Sequence, residues 1–417
     1  MAFRKNVLLV SYYFPPLGMG GIGRPYALFR YLPDHGYDVT VLTVKNISYP
    51  EYDYSLLNES DEKSIVRTGS LDPSRILHMI GVRKMKSAVS SSPGTAVCNF
   101  PDSKRGWVRF ALAGAKRIMG NSDISAVITT SPPPSSHIVG LKLKEKFNVK
   151  WIADFRDFWF SLPIELVYPM QIQKSHAQRL KDRIVESADA IAAVNNSVVD
   201  YLGRGEVVMN GADPAVIGYW RSKSRRPAEK FIIGSLGTVN YLCPVEPLFK
   251  IITSLKNSDA SLAGKIEIVH VGHYDEKMIN ELTDQYGLQS VVSFRGYMPK
   301  AKAIETLATA DMLYLSVADF GDYHILPGRV FDYLLSGKPI LGVVPQGSDV
   351  AALLGEYGRG MVVTPDDLSG AVTFIRKVYD ERLAGLSEKT LDAETASRYM
   401  TPEVAAQYAK ILDRVTG

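Results

Sequence analysis

Cysteine is almost absent: 417 residues hold only Cys98 and Cys243. Neither belongs to a C-x-x-C pair or stands at metal-ligand spacing from a histidine. Neither a disulfide framework nor a metal site is expected, and a reducing, cytoplasmic setting suits the chain. Long apolar runs are missing as well. The opening MAFRKNVLLVSYYFPP is basic and then apolar for a strand's length, with no small-residue cleavage site, so neither a signal peptide nor a spanning helix is expected. Charge of one sign does not dominate. The net +4 is too small to argue for nucleic acid as a partner. Basic residues do gather locally, at VRKMK (82–86), KLKEK (142–146) and RSKSRR (221–226). The stretch SRILHMIGVRKMK (74–86) mixes basic and apolar positions, a pattern that suits either a solvated loop or peripheral contact with an anionic membrane.

What is present is alternation. Short apolar runs that read as buried strands fall at 7–11, 39–43, 126–130, 150–155 and 190–194, then again at 231–237, 266–272, 291–297, 312–317, 340–344 and 360–363. Helical patterns lie between them, which is the signature of βαβ units and parallel sheets. Residues 212–230, rich in charge and turn formers, show neither period and read as a linker. The expected fold class is α/β: two doubly wound, Rossmann-like domains, 1–211 and 231–397, facing a central cleft. Ligands of such sheets sit at the carboxyl ends of the strands.

Several motifs fall at those ends. GMGGIG (18–23) satisfies G-x-G-x-x-G, but two prolines separate it from the strand and no acid follows VTVLT, so a dinucleotide site is rejected. There remains a glycine loop opening a helix. The amides of Gly20 and Gly21, with Arg24, form either an anion site or a plain turn. WIADFRDFW (151–159) places Asp154, Arg156 and Asp157 at a strand end, as a structural ion pair or a functional cluster. TTSPPPSSH (129–137) offers Ser135 or Ser136 as a helix cap and His137 in the first turn, facing ligand or solvent. In GRVFDYLLSGKPIL (328–341), Asp332 lies in the first turn of an apolar helix that Gly337 and Pro339 end. It either complements the helix dipole or serves a site.

The segments SYYFPPLGMGGIGRPYALFRYLPDHGYDVTVLT, TTSPPPSSHIVGLKLK, ADFRDFW, VVMNGADP, GSLGTVNYLCPVEPLF, FRGYMP and GRVFDYLLSGKPILGVVP occur in this order. Together they resemble the glycosyltransferase family 4 group, retaining enzymes of the GT-B architecture, over nearly the whole chain. The resemblance implies a nucleoside diphosphate sugar donor (UDP or GDP), no bound cofactor or metal, and a glycan or lipid-linked acceptor in surface polysaccharide synthesis. It gives Asp332 the ribose hydroxyls and Arg329 the phosphate side, with the helix start at Pro327 and Gly328 facing the diphosphate. Main chain near Gly296 and Tyr297 takes the base. Relatives carry an Arg and a Lys in the loop that is here GSLGTVNYLCPVEP (234–247), which has no basic residue. Thr238 and Asn240 offer hydrogen bonds there, so either Arg329, Gly20, Gly21 and Arg24 supply the positive potential, or the enzyme is slow, or the donor is bound differently. No histidine stands at DFRD, leaving Asp157 or Asp154 to orient the acceptor and Arg156 to hold either one. The last helix, 398–417, is implied to cross back onto the first domain. A non-catalytic sugar-nucleotide-binding partner and a GT-B sugar-nucleotide epimerase are the alternatives.

Overall fold

A computed structural model describes residues 4–84, 100–160, 162–221, 230–385 and 391–417. The chain divides into two compact units, Met1–Gly211 with Thr401–Gly417, and Ala212–Met400.

In the first unit, β1 (Lys5–Val10), β2 (Tyr37–Val44), β3 (Ile65–Thr68), β4 (Ile124–Ser131), β5 (Trp151–Phe155), β6 (Ala190–Ala193) and β7 (Glu206–Val207) form one sheet in the order β3-β2-β1-β4-β5-β6-β7. Every pair is parallel, with Val7 opposite Val39 and Ile128 opposite Ile152. Val7 to Val10 and Ile152 to Phe155 are buried on both faces, which is why these strands read as apolar runs, with Asp154 the one charged position in the two. The edge strands β3 and β7 were not expected. IVRT is buried only at its first and last residues and EV at neither position, and both have too few residues to show a pattern. The helix Thr401–Thr416 carries Val404, Ala405, Tyr408, Ala409, Ile411 and Leu412, a repeat that makes one apolar stripe. That stripe joins Leu28 and Phe29 of the helix Gly23–Tyr31 in the same core. The final helical pattern is broken at Tyr399–Met400: Asp392 caps a short helix, Ala393–Arg398, and the chain restarts at Thr401 with Pro402 in the first turn, where a missing amide costs nothing.

In the second unit, β8 (Phe231–Leu236), β9 (Ile266–Val271), β10 (Val292–Phe294), β11 (Met312–Ser316), β12 (Ile340–Val343) and β13 (Gly360–Val363) run parallel in the order β10-β9-β8-β11-β12-β13. Strand order reverses at β1/β4 in one unit and at β8/β11 in the other, and these are the two points where such sheets open a crevice. Part of the stretch read as a linker belongs to this unit. Ala215–Arg221 is a helix whose Val216 and Trp220, four residues apart, are both buried. Two positions are too few to register as a period. Residues 222–229 of that stretch lie outside the described residues. So does Cys98.

Candidate functional site

At the β1/β4 switch point of the first unit, the glycine loop leads into a short 3-10 turn, Gly20–Ile22, and then the helix Gly23–Tyr31. Arg24 does not stand open at this loop. Its side chain is 1% exposed and its guanidinium donates to Asp154 Oδ1 at 2.8 Å, Asn210 Oδ1 at 3.0 Å, Tyr408 Oη at 3.3 Å and the Val208 carbonyl. Asp154 is equally enclosed and also accepts from Thr130 Oγ1 at 2.6 Å. The two form a buried ion pair, with lone pairs and donors taken up by neighbours, and it ties β5 to the terminal helix.

Arg156 does not hold an aspartate. Its three nitrogens donate to carbonyls: Nε to Ser131 at 3.0 Å, one terminal nitrogen to Pro132 at 2.8 Å and the other to Gly21. It therefore staples the loop after β1 to the loop after β4. Asp157 keeps part of its surface exposed, and burial pushes its carboxyl up to about 7, with Arg156 and Arg24 pulling the other way. Of the strand-end cluster it alone combines access with a titration near neutrality.

His137 is fully buried. Its Nδ1 shares a hydrogen bond of 2.7 Å with Thr129 Oγ1, and its ring packs 4.3 Å from that of Phe155. Burial, helped by Arg156, pushes its pKa down to about 3, so the imidazole is neutral. The helix it opens, Ser135–Phe147, is capped by neither serine: Pro134 holds the cap position, and Asp102 Oδ2 accepts from the Ser135 amide at 2.6 Å. Ser131 Oγ, Ser136 Oγ and His137 Nε2 are buried without a hydrogen-bond partner among the described residues.

At the β8/β11 switch point of the second unit, the helix Arg329–Leu334 is fixed from three sides. Arg329 donates to the Leu236 carbonyl, while Tyr333 Oη accepts from the Leu236 amide at 2.7 Å and donates to the Tyr314 carbonyl at 3.3 Å. Trp220 Nε1 donates to the Asp332 carbonyl at 3.0 Å. Gly237, at φ 106°, must be glycine: a Cβ there would stand 2.8 Å from the Arg329 guanidinium. Gly272, at φ 148°, touches Gly237 so closely that a Cβ would fall 1.8 Å from its carbonyl oxygen. The carboxyl ends of β8 and β9 thus present bare backbone beside Arg329. Pro327 and Gly328 precede the helix, their carbonyls accepting from Val330 and Phe331.

Asp332 is 4% exposed, and burial raises its pKa. Lys300 Nζ lies 2.8 Å from its Oδ1 and pairs with it. Sequence reasoning missed Lys300, because a contact across 32 positions leaves no local spacing. It missed equally His273, whose ring stacks on that of Tyr297 with centres 5.2 Å apart, at the ends of β9 and β10 beside Gly296. Asn240 turns into its own loop, accepting from the Leu242 and Cys243 amides at 3.0 and 3.1 Å, while Thr238 is half-buried in the same loop. A pocket of about 270 Å³ lies over the ends of β11, β12 and β13, walled by Pro244, Pro247, Val317, Val344 and Pro345. Its lining has no cation, so a diphosphate has no charged partner there. Among the described residues, no group of three or more metal ligands occurs, and no helix is long and apolar enough to cross a membrane.

No family model and no curated protein matches the sequence. Solved structures do match in shape. Sucrose-phosphate synthase from Thermosynechococcus elongatus aligns at TM-score 0.69 and 14% identity over 99% of both chains. A trehalose-6-phosphate protein from E. coli, bound with UDP-2-fluoro glucose, aligns at 0.60 and 12% over 99% of this chain and 97% of that one. WaaG, a glycosyltransferase involved in lipopolysaccharide biosynthesis, aligns at 0.59 and 12% over 99% and 100%. With two parallel-sheet α/β units of seven and six strands, the chain has the GT-B fold.

Proposed function

We propose that this protein is a glycosyltransferase that moves a sugar from a nucleoside diphosphate sugar to a glycan or lipid-linked acceptor, of the retaining, family 4 type. The observation that carries this reading is the second unit's strand-end arrangement. A cation, Arg329, lies against bare backbone at Gly237, and a buried acid, Asp332, stands one turn further along the same helix. A guanidinium matches phosphate oxygens, and a carboxylate matches a ribose diol. The His273–Tyr297 pair gives a nucleobase a face to stack on, next to the Gly296 main chain. The structural neighbours named above, one of them bound to a UDP-sugar analogue, agree with a donor of this class.

In the first unit Asp157 is the group that takes or orients the acceptor hydroxyl, because Asp154 and Arg156 are engaged with protein partners. Departure of the diphosphate is the demanding step, and fixed cations and amides count most as its charge develops. Arg329 fills that role in the second unit. A lipid-linked acceptor agrees with the exposed Met79, Ile80 and Val82 beside Arg83 and Lys84, a surface suited to an anionic membrane at the cytoplasmic face.

The test is a thermal-shift screen of UDP- and GDP-sugars, since a ligand that binds the folded state raises its melting point. Release of the nucleoside diphosphate is then measured with and without a lipid-linked acceptor. Release only with acceptor supports the transferase. Conversion of the donor alone to its epimer points to the epimerase, binding without turnover to the non-catalytic partner, and no shift with any donor overturns the reading.

A further inference from the structure

A buried carboxylate that is to accept two ribose hydroxyls must stay ionised, since a proton on it turns one acceptor into a donor. Burial works against that at Asp332. Two charged groups face the carboxyl from neighbouring elements. Lys300 opens the helix Lys300–Leu307, and Asp213 precedes the helix Ala215–Arg221 and opposes ionisation. On its own helix, Arg329 is turned onto the Leu236 carbonyl and Tyr333 onto β8 and β11. The helix Asp349–Tyr357, which also packs there, adds no charge to the surroundings of Asp332. Lys300 is thus the cation that offsets burial. Its side chain remains 49% exposed, and its contact at 2.8 Å falls on Oδ1 alone. An ammonium on a flexible stem acts as a point charge in that position and can give way to an incoming hydroxyl.

We infer that Lys300 is a positioning residue for the donor: its ammonium on Oδ1 holds Asp332 as a carboxylate while leaving Oδ2 and the remaining lone pairs to the ribose hydroxyls of a nucleoside diphosphate. This deepens, and rests on, the donor reading of Asp332. It also provides a cation on the donor side of a unit whose 234–247 loop contains none.

The experiment has two arms on the full chain. The first follows the Asp332 carboxyl by carbon-13 NMR through a pH titration in the wild type, Lys300→Met and Lys300→Arg, with Asp332→Asn assigning the signal. The second measures UDP and GDP binding by calorimetry across the same pH range. Lys300→Met is expected to titrate at higher pH than the wild type, and Lys300→Arg to restore it. Below that point Lys300→Met should lose nucleotide affinity by about ten-fold per pH unit while the wild type holds steady. A titration identical in the wild type and Lys300→Met overturns the inference, whatever the nucleotides do. A shifted titration with nucleotide affinity that ignores both pH and Asp332→Asn overturns the ribose assignment instead. Failure of the wild type to bind either nucleotide overturns the donor reading beneath both.

Discussion

Replacing Asp154 with alanine should unfold the first unit far more readily while teaching little about catalysis. The substitution strands the Arg24 guanidinium, whose side chain is 1% exposed, without its carboxylate partner. Breaking a buried pair by removing one member costs about 3–5 kcal/mol. Thr130 Oγ1 also loses the acceptor it holds at 2.6 Å, a further loss of about 1 kcal/mol. For a unit of this size each kcal/mol moves the melting temperature by about 2–4 °C, so a drop of about 6–20 °C is expected from the pair alone. Three of the four tryptophans, Trp107, Trp151 and Trp159, belong to the first unit, and their fluorescence during urea unfolding reports mainly on it. The double variant Arg24→Met, Asp154→Leu should recover most of the loss, because apolar residues of similar volume commonly replace a buried pair at little cost. A single-variant loss under about 1 kcal/mol, or a double variant as unstable as the sum of the singles, would refute the account of Arg24 and Asp154 as a structural brace.

Asp157→Asn should lower transfer by about 100-fold or more and remove the acid limb of the pH–rate profile near 7; an unchanged profile takes the residue out of the chemistry. The same group shapes stability. Its pKa is raised in the folded state to about 7, so the share it contributes is complete below about pH 4 and disappears as pH climbs through 7. The melting-temperature gap between wild type and Asp157→Asn should therefore change across that window and stay level above it. Asp332→Ala should weaken UDP or GDP binding by about ten-fold or more in calorimetry with an unaltered circular dichroism spectrum, and equal affinity would remove it from the site. Ile80→Asp combined with Arg83→Glu should abolish co-sedimentation with vesicles containing anionic lipid and leave turnover of a soluble acceptor intact. Vesicle binding unaffected by the double variant assigns that surface another role.

Much of the fold was legible because strands covered on both faces, such as VLLV in β1, need apolar residues at every position; WIADF in β5 departs from this at Asp154, whose burial is met by its pair with Arg24. The edge strands IVRT and EV escaped notice for the converse reason. The placement of Arg329 and Asp332 on one helix was readable from local periodicity and from the Gly-Lys-Pro stop. What that helix touches was not, since Leu236, Trp220 and Lys300 come from distant parts of the chain. The same limit explains Arg24 and Asp154, which meet across 130 positions. It also explains the helix cap drawn from Asp102 where two serines stood adjacent. Local spacing names the candidates, and only tertiary contacts decide which of them remain available.

The order of synthesis bears on how this chain must fold. Leu28, Phe29 and Leu32 are made long before the side chains that cover them, Val404, Tyr408 and Leu412. Until the ribosome has finished the whole intervening unit, the first sheet carries an uncovered greasy flank, and nascent chains risk sticking to one another there. Removing residues 401–417 would therefore damage the unit built from residues 1–211, and chaperone demand during expression should follow the time needed to translate residues 212–400.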